Sequence, residues 1–387
     1  MTLLEAARAA AVPPFHAMAM SRAASERESA GHEVLHLEVG QPSTPAPALA
    51  REAAIRAIER GDALGYTNAA GLMSLRRRIA RHYLDWYEVE VHPASVMVVA
   101  GASAGFTLAF AAAFDAGDRV AVVEPGYPCY RNALLALGIE PVAIPVDAST
   151  RWAPAIEQLD AAGRLDGLVV ASPSNPTGTV LSADALGAIA GWCETNGVQL
   201  ISDEIYHGVV YDGRAETALG CTSSAVVVNS FSKYWSMTGW RLGWMVVPTH
   251  LADAVERLQQ NLYICAPHVS QVAGTAAFDA EPELDANVAR YRDNRTVLLE
   301  GLKAAGLTDV APADGAFYVY ADVEHLTART GGDSMQLCTR WLDELGIACT
   351  PGLDFDLARG PHTVRFSYAG EADHLRRACE RIAEWTP

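Results

Sequence analysis

The sequence predicts an α/β protein: a large domain built on a mostly parallel, seven-stranded sheet covered by helices, with a smaller α+β domain following it. Three observations carry this. Seven short apolar runs between residues 95 and 248 alternate with helix-patterned segments. The runs are apolar throughout rather than at every second residue, as strands buried on both faces are. From about residue 280 the texture changes to charged helices separated by two strand-like runs. At 387 residues the chain is also too long for one ordinary core.

The elements follow in order. "SVMVVA" reads as a strand, and "GASAGFTLAFAAAFDAG" as a helix opened by glycine. "DRVAVVEP" is a strand, "CYRNALLALG" a helix, "EPVAIPV" a strand, and "DGLVVASP" a strand that stops at a proline loop. "SADALGAIAGWCETNG" is a helix with a serine cap and a glycine stop. "VQLISDEIY", "SAVVVNS" and "RLGWMVVP" complete the seven strands. Beyond them come the helix "ELDANVARYRDNRTVLLEGLKAAG", the strand "GAFYVYADV", the helix "SMQLCTRWLDELG", the strand "HTVRFSYA" and the helix "EADHLRRACERIAEW". The expected division is 45–280 for the large domain and 281–387 for the small one. Residues 1–44 are expected to form a segment that crosses back to the small domain.

Composition excludes some functions. Half the residues are apolar, as in a globular protein, and the formal net charge of −17 argues against a general nucleic-acid or anionic-membrane binder. No apolar run reaches the roughly 18 residues of a membrane span. "MTLLEAARAAAVPPF" carries Glu5 and no basic start, so it does not read as a secretory signal. Seven scattered cysteines with no C-x-x-C suggest reduced thiols and a cytoplasmic location.

Two motif matches fail on context. "HEVLH", His32 to His36, fits the zinc-peptidase pattern, but Gly31 and "LEVGQP" leave no room for the helix that would align both histidines. Val34, Leu35, Leu37 and Val39 read as a short buried strand, and no metal is expected. "SFSK", Ser230 to Lys233, fits the S-x-x-K of acyl enzymes, but it follows a strand instead of opening a helix, and no K-T-G element is present.

Lys233 in "NSFSKYWSMTGWRLGW" supports a different chemistry. An amine that attacks a carbonyl must be neutral, and burial or a nearby cation such as Arg241 lowers its hold on the proton. A strand-end lysine of this kind suits a Schiff base to pyridoxal phosphate. That cofactor's phosphate calls for N–H groups, available where "GASAG" opens a helix, and for the hydroxyls and charge of Ser230, Ser232 and Arg241. Its ring nitrogen calls for a carboxylate at a strand end, and Asp203 in "QLISDEIY" is placed for it. Asn175 in "SPSNPTG" and Tyr206 are donors for the phenolic oxygen, and Tyr127 in "EPGYPCY" for stacking. A planar, bidentate cation for an amino acid's carboxylate is available in Arg365 of "HTVRFSYA".

Taken together, "VGQPSTPAP", "YTNAAGLMSLRRRIA", "SPSNPTG", "SDEIYHGVVYDG", "SFSKYWSMTGWRLGW" and "VRFSYA" resemble, in order and spacing, the class I/II aminotransferases of fold type I, the aspartate-aminotransferase-like group. The resemblance spans roughly residues 30–385. It implies that Lys233 carries pyridoxal 5'-phosphate, that Asp203 pairs with the ring nitrogen, and that Tyr206 and Asn175 serve the phenolic oxygen. It implies Ala102, Ser103, Ala104, Ser230, Ser232 and Arg241 at the phosphate, Tyr127 on the ring, and Arg365, Gly40 and Asn175 at the substrate carboxylate. Tyr66 would reach the neighbouring subunit's phosphate, so a homodimer is implied.

The implied reaction is ping-pong transfer of an amino group from an L-amino acid to a 2-oxo acid, with Lys233 as the general base. One bacterial branch that selects aspartate has a lysine where this chain has Ser103, so a neutral, aliphatic or aromatic donor is expected. "PPFHAMAMSR" is expected to close over the pocket with Phe15 or Met18 near the side chain. Two rivals share the motifs: a C–S β-lyase of the same fold, and a cofactor-binding regulator, which would need an added basic DNA-binding domain.

Overall fold

The structure, a computed structural model, describes residues 5–386; Met1–Leu4 of the expected N-terminal segment and Pro387 of the expected small domain lie outside the described residues. The strands are β1 (Leu35–His36), β2 (Val96–Val99), β3 (Arg119–Glu124), β4 (Glu140–Pro145), β5 (Gly167–Ala171), β6 (Gln199–Asp203), β7 (Val226–Ser230), β8 (Gly243–Val246), β9 (Tyr318–Asp322), β10 (Ile347–Ala348), β11 (Thr350–Pro351) and β12 (Thr363–Ser367). Strands β2 to β8 are the seven apolar runs. They form one sheet in the order β2-β8-β7-β6-β5-β3-β4, in which only β8 runs against its neighbours. This is the expected α/β architecture.

The continuous apolar runs have a simple cause. Val96 and Val98 enter the core on one face of the sheet, while Met97 and Val99 enter the core on the other. Leu168 and Val170 alternate with Val169 in the same way. Helices cover both faces, so neither parity of side chain meets water. The carboxyl ends of the parallel strands share one edge, where open α/β sheets bind ligands. There β2 leads to Gly101, β3 to Tyr127, β5 to Asn175, β6 ends on Asp203, and β7 leads to Lys233.

β1 pairs in parallel with β10, Leu35 opposite Ile347, and the Ser367 N–H donates to the Leu37 carbonyl. β11, β12 and β9 form a three-stranded antiparallel sheet with Arg365 opposite Tyr320. The helix His16–Ser29 is capped from a distance: the Asp354 carboxylate accepts the His16 and Ala17 N–H groups at 2.8 Å each. The segment around "HEVLH" is extended, not helical, and His36 bonds Glu38 at 2.9 Å. After β7 the chain turns through Phe231–Ser236 and opens no helix. Among the described residues no helix is long and apolar enough to cross a membrane.

Candidate active site

A cavity of about 300 Å³ opens at the carboxyl edge of the sheet, between it and the β9–β12 unit. Lys233, Asp203, Asn175, Tyr127, Arg241 and Arg365 all line it, although they come from five separate parts of the chain. The size suits a cofactor-sized molecule.

Lys233 reaches into this cavity from the turn after β7. Its Nζ donates to the Gly40 carbonyl and lies 5.7 Å from the Tyr206 ring and 6.0 Å from that of Phe317. Burial lowers its pKa to about 8, assisted by the charges of Arg365 and Arg241 and opposed by Asp203. A useful fraction of the amine is therefore neutral near physiological pH.

Asp203 ends β6 and is buried. Burial raises its pKa to about 6, while the Tyr130 hydroxyl and the Ile205 N–H, bound to its two oxygens, work in the opposite direction. Tyr130 was not anticipated from the sequence. Its hydroxyl partner lies far away in the chain, and a tyrosine two residues into a helix reads as core packing.

Arg365 is buried on β12, yet among the described residues it has no carboxylate partner. Nη1 donates to Asn175 Oδ1 at 3.0 Å, and Nη2 donates to the Glu38 carbonyl at 2.7 Å and to Thr350 Oγ1 at 3.1 Å. Nε has no partner. The guanidinium lies over the Tyr318 ring at 4.3 Å and the Phe355 ring at 4.8 Å. A structural ion pair does not account for this arginine; it is a positive charge held in reserve beside a cavity. The Tyr206 hydroxyl is 2.6 Å from that of Tyr318, a second lining tyrosine unnoticed in the sequence.

At the other end, Gly101 precedes the helix Ala102–Ala113 at φ +86°, and a Cβ there would come within 2.5 Å of Arg241 Nη2. Glycine lets the guanidinium lie against the helix start, so N–H groups and a cation converge. Ala102, Ser103, Ser232 and Thr238 line this end. Two residues expected at the phosphate do not line the cavity. Ser230 is fully buried behind the wall, its hydroxyl donating to the Leu242 carbonyl at 2.9 Å and accepting from Ser232 Oγ at 2.8 Å. Ala104 faces the core beneath the helix, because a residue two positions past the helix start has turned away from the cavity. Tyr66 is 83% exposed and outside the cavity of the single chain. Gly40 lines the cavity, and so do Phe15 and Met18 from the start of the His16–Ser29 helix.

An amine of weakened basicity facing a strand-end carboxylate, at the ligand edge of a fold-type I sheet, defines an enzyme that works on amino acids through a carbonyl cofactor. The family of aminotransferases class I and II matches over residues 32–382. A valine–pyruvate aminotransferase of Mycobacterium tuberculosis is 49% identical over 383 residues, covering 98% of this chain and 97% of that protein. The crystal structure of an aminotransferase from Mycobacterium tuberculosis superposes with a TM-score of 0.95 at 48% identity, covering 99% of both chains. An aspartate aminotransferase from Thermus thermophilus with maleate does so with 0.92 at 29% identity and 99% coverage of both. The chain belongs to the class I and II aminotransferase family and is a pyridoxal phosphate-dependent aminotransferase. The residues fit that cofactor: the Gly101–Arg241 cradle, which a Cβ would fill, offers N–H groups and a cation to an anion, and among the described residues Lys233 is the one lysine lining the cavity.

Proposed function

We propose that this aminotransferase takes a neutral L-amino acid, aliphatic or aromatic, as donor and passes its amino group to a 2-oxo acid by a ping-pong route. One observation carries the choice of donor. Among the described residues the lining cations are Lys233, Arg241 and Arg365, and each already has a task. Ser103 lines the wall where an acidic donor would need another cation, and Phe15, Ala17 and Met18 add apolar surface. An unpaired carboxylate in such a pocket costs several kcal/mol. The likeness to a valine–pyruvate aminotransferase supports the same reading.

Pyridoxal phosphate, when bound, supplies the electron sink that makes the substrate's Cα proton labile. Lys233 would hold the cofactor, and its neutral Nζ, once free, would be placed to take the donor's Cα proton and to give it back. Asp203, ionised above pH of about 6, holds a negative charge against the ring nitrogen. Arg365 and Asn175 orient the α-carboxylate, with Gly40 beside them. Tyr206 would donate toward the phenolic oxygen, and Tyr127 would pack on the ring. The Ala102 and Ser103 N–H groups, Ser232 and Arg241 would grip the phosphate, with Ser230 positioning Ser232. Tyr66 serves the neighbouring subunit's site in a homodimer, and the enzyme acts in the cytoplasm.

The test is a donor screen by half-reaction, following cofactor absorbance with single amino acids. Valine, alanine, leucine and the aromatic amino acids should outpace aspartate and glutamate. A faster half-reaction with aspartate would overturn the choice of donor. With a cysteine S-conjugate as substrate, release of the thiol, ammonia and pyruvate without an acceptor would instead mark a β-lyase.

A further inference from the structure

We propose that Tyr318 is a positioning residue that couples the two halves of the site: its ring carries the arginine for the substrate carboxylate, and its hydroxyl tunes the tyrosine that faces the cofactor. The proposal rests on the roles given above to Arg365 and Tyr206. Tyr318 is buried at the start of β9 and lines the cavity. Arg365, on the adjacent strand β12, lays its guanidinium 4.3 Å from the Tyr318 ring centre. Its hydroxyl lies 2.6 Å from that of Tyr206, and the two rings meet edge to face at 80°. The same hydroxyl fits against Gly40, where a Cβ would overlap it, and the Gly40 carbonyl receives Lys233 Nζ. One side chain thus touches the supports of cofactor, base and substrate.

The physical consequence is directional. Tyr206 can give its proton to the cofactor's phenolic oxygen only if it accepts from Tyr318. A donor that is itself a hydrogen-bond acceptor is polarised and donates more strongly. A stronger donor stabilises negative charge on the phenolic oxygen, which favours loss of the proton from the Lys233–cofactor linkage. Removing the Tyr318 hydroxyl should therefore raise the pKa of that linkage. Removing the ring should weaken carboxylate binding, because a desolvated cation–π contact is lost.

The experiment titrates the holoenzyme by absorbance, without substrate, and measures binding of an inert carboxylic acid analogue of the donor. Tyr318→Phe should raise the linkage pKa, by less than Tyr206→Phe does, and leave analogue binding within about twofold. Adding Tyr318→Phe to Tyr206→Phe should then change nothing further, since the hydroxyl acts through Tyr206. Tyr318→Leu, or Tyr318→Met if the leucine variant does not fold, should weaken analogue binding by roughly three- to thirtyfold. A Tyr318→Phe titration equal to wild type, an additive double variant, or full analogue binding without the ring would each overturn the proposal. If Tyr206→Phe alone leaves the titration unmoved, the role assigned to Tyr206 is wrong and this coupling falls with it. If Tyr206→Phe moves it while Tyr318→Phe does not, only the coupling fails.

Discussion

The Tyr130 hydroxyl donates to Oδ2 of Asp203, 73 residues further along the chain, while Oδ1 of the same carboxylate accepts the Ile205 N–H at 3.0 Å. These two donors are what keep a fully buried carboxylate from climbing further above its ordinary pKa; with them it stands at about 6. In the role proposed for it Asp203 must be charged at neutral pH, and that charge depends on Tyr130.

Tyr130→Phe should therefore weaken the hold on the cofactor. A hydrogen bond to a charged group contributes about 1.5–3 kcal/mol, which corresponds to a roughly ten- to hundredfold rise in the cofactor's Kd. The defect should be smaller at alkaline pH, where Asp203 ionises even without Tyr130. Equilibrium dialysis across pH 6 to 9 checks both points. Retention equal to wild type at every pH would remove Tyr130 from the argument.

Lys233 offers a pH test of its own. Attack on the cofactor needs the neutral amine, so recombination of the apoprotein with pyridoxal phosphate should quicken as pH rises, with a midpoint near 8. The sign for stability follows from the same shift. Between about 8 and the ordinary 10.5 the folded apoprotein binds fewer protons at Lys233 than the unfolded chain does, so its stability should rise with pH across that window. Stopped-flow absorbance gives the midpoint, and peptide mapping after borohydride reduction gives the residue. A midpoint at an ordinary lysine value, or a label on Lys303, would contradict the assignment.

Residues whose chemistry is conspicuous against their surroundings were legible in the sequence. Lys233, Asp203 and Arg365 are charges at or within apolar strands, and a charge there needs a reason. The seven strands of the large sheet were legible because burial on both faces leaves unbroken apolar runs. Tyr130 and Tyr318 were not, because a tyrosine in an apolar stretch looks like core and only the folded chain shows where its hydroxyl goes. Ser230 and Ala104 were expected at the phosphate, yet their side chains do not line the cavity, for a related reason. The motif names the neighbourhood, but alternation along β7 and rotation around the helix decide which side chains face the cavity. β1 is only two residues long, and its partner β10 begins some three hundred positions later, so its pairing had no local signal.

Tyr66 supports a prediction about assembly. It is exposed in the single chain, although the motif around it resembles a segment that serves the site. If it completes the neighbouring subunit's site, every site of either parent dimer, Lys233→Ala or Tyr66→Phe, carries one defect, whereas a hybrid gathers both defects in one site and leaves the other intact. Once Tyr66→Phe alone is shown to be nearly inactive, mixing the two under conditions of subunit exchange should restore about a quarter of the sites. Exchange verified by differential tags with no return of activity would mean that the sites are not shared.

Arg365 and Asp203 should fail in opposite ways. Arg365 spans three acceptors, Asn175 Oδ1, the Glu38 carbonyl and Thr350 Oγ1, and stacks on Tyr318. Arg365→Lys retains the charge but loses the planar fork, so a substrate carboxylate is held by one contact instead of two. Losing one charged hydrogen bond should raise the apparent KM of the donor by roughly ten- to a hundredfold. A smaller loss in kcat follows from poorer orientation. The variant should still bind cofactor and show the wild-type absorbance, because Arg365 is placed at the substrate and not at the phosphate. Asp203→Asn keeps the shape and removes the charge facing the ring nitrogen. Its half-reaction should be slow even at saturating donor, with little change in the donor concentration needed for half-saturation. Stopped-flow half-reactions over a wide range of donor concentration separate the two patterns. If more donor rescues Asp203→Asn but not Arg365→Lys, the carboxylate serves substrate binding and the arginine serves the chemistry, the reverse of the roles assigned here.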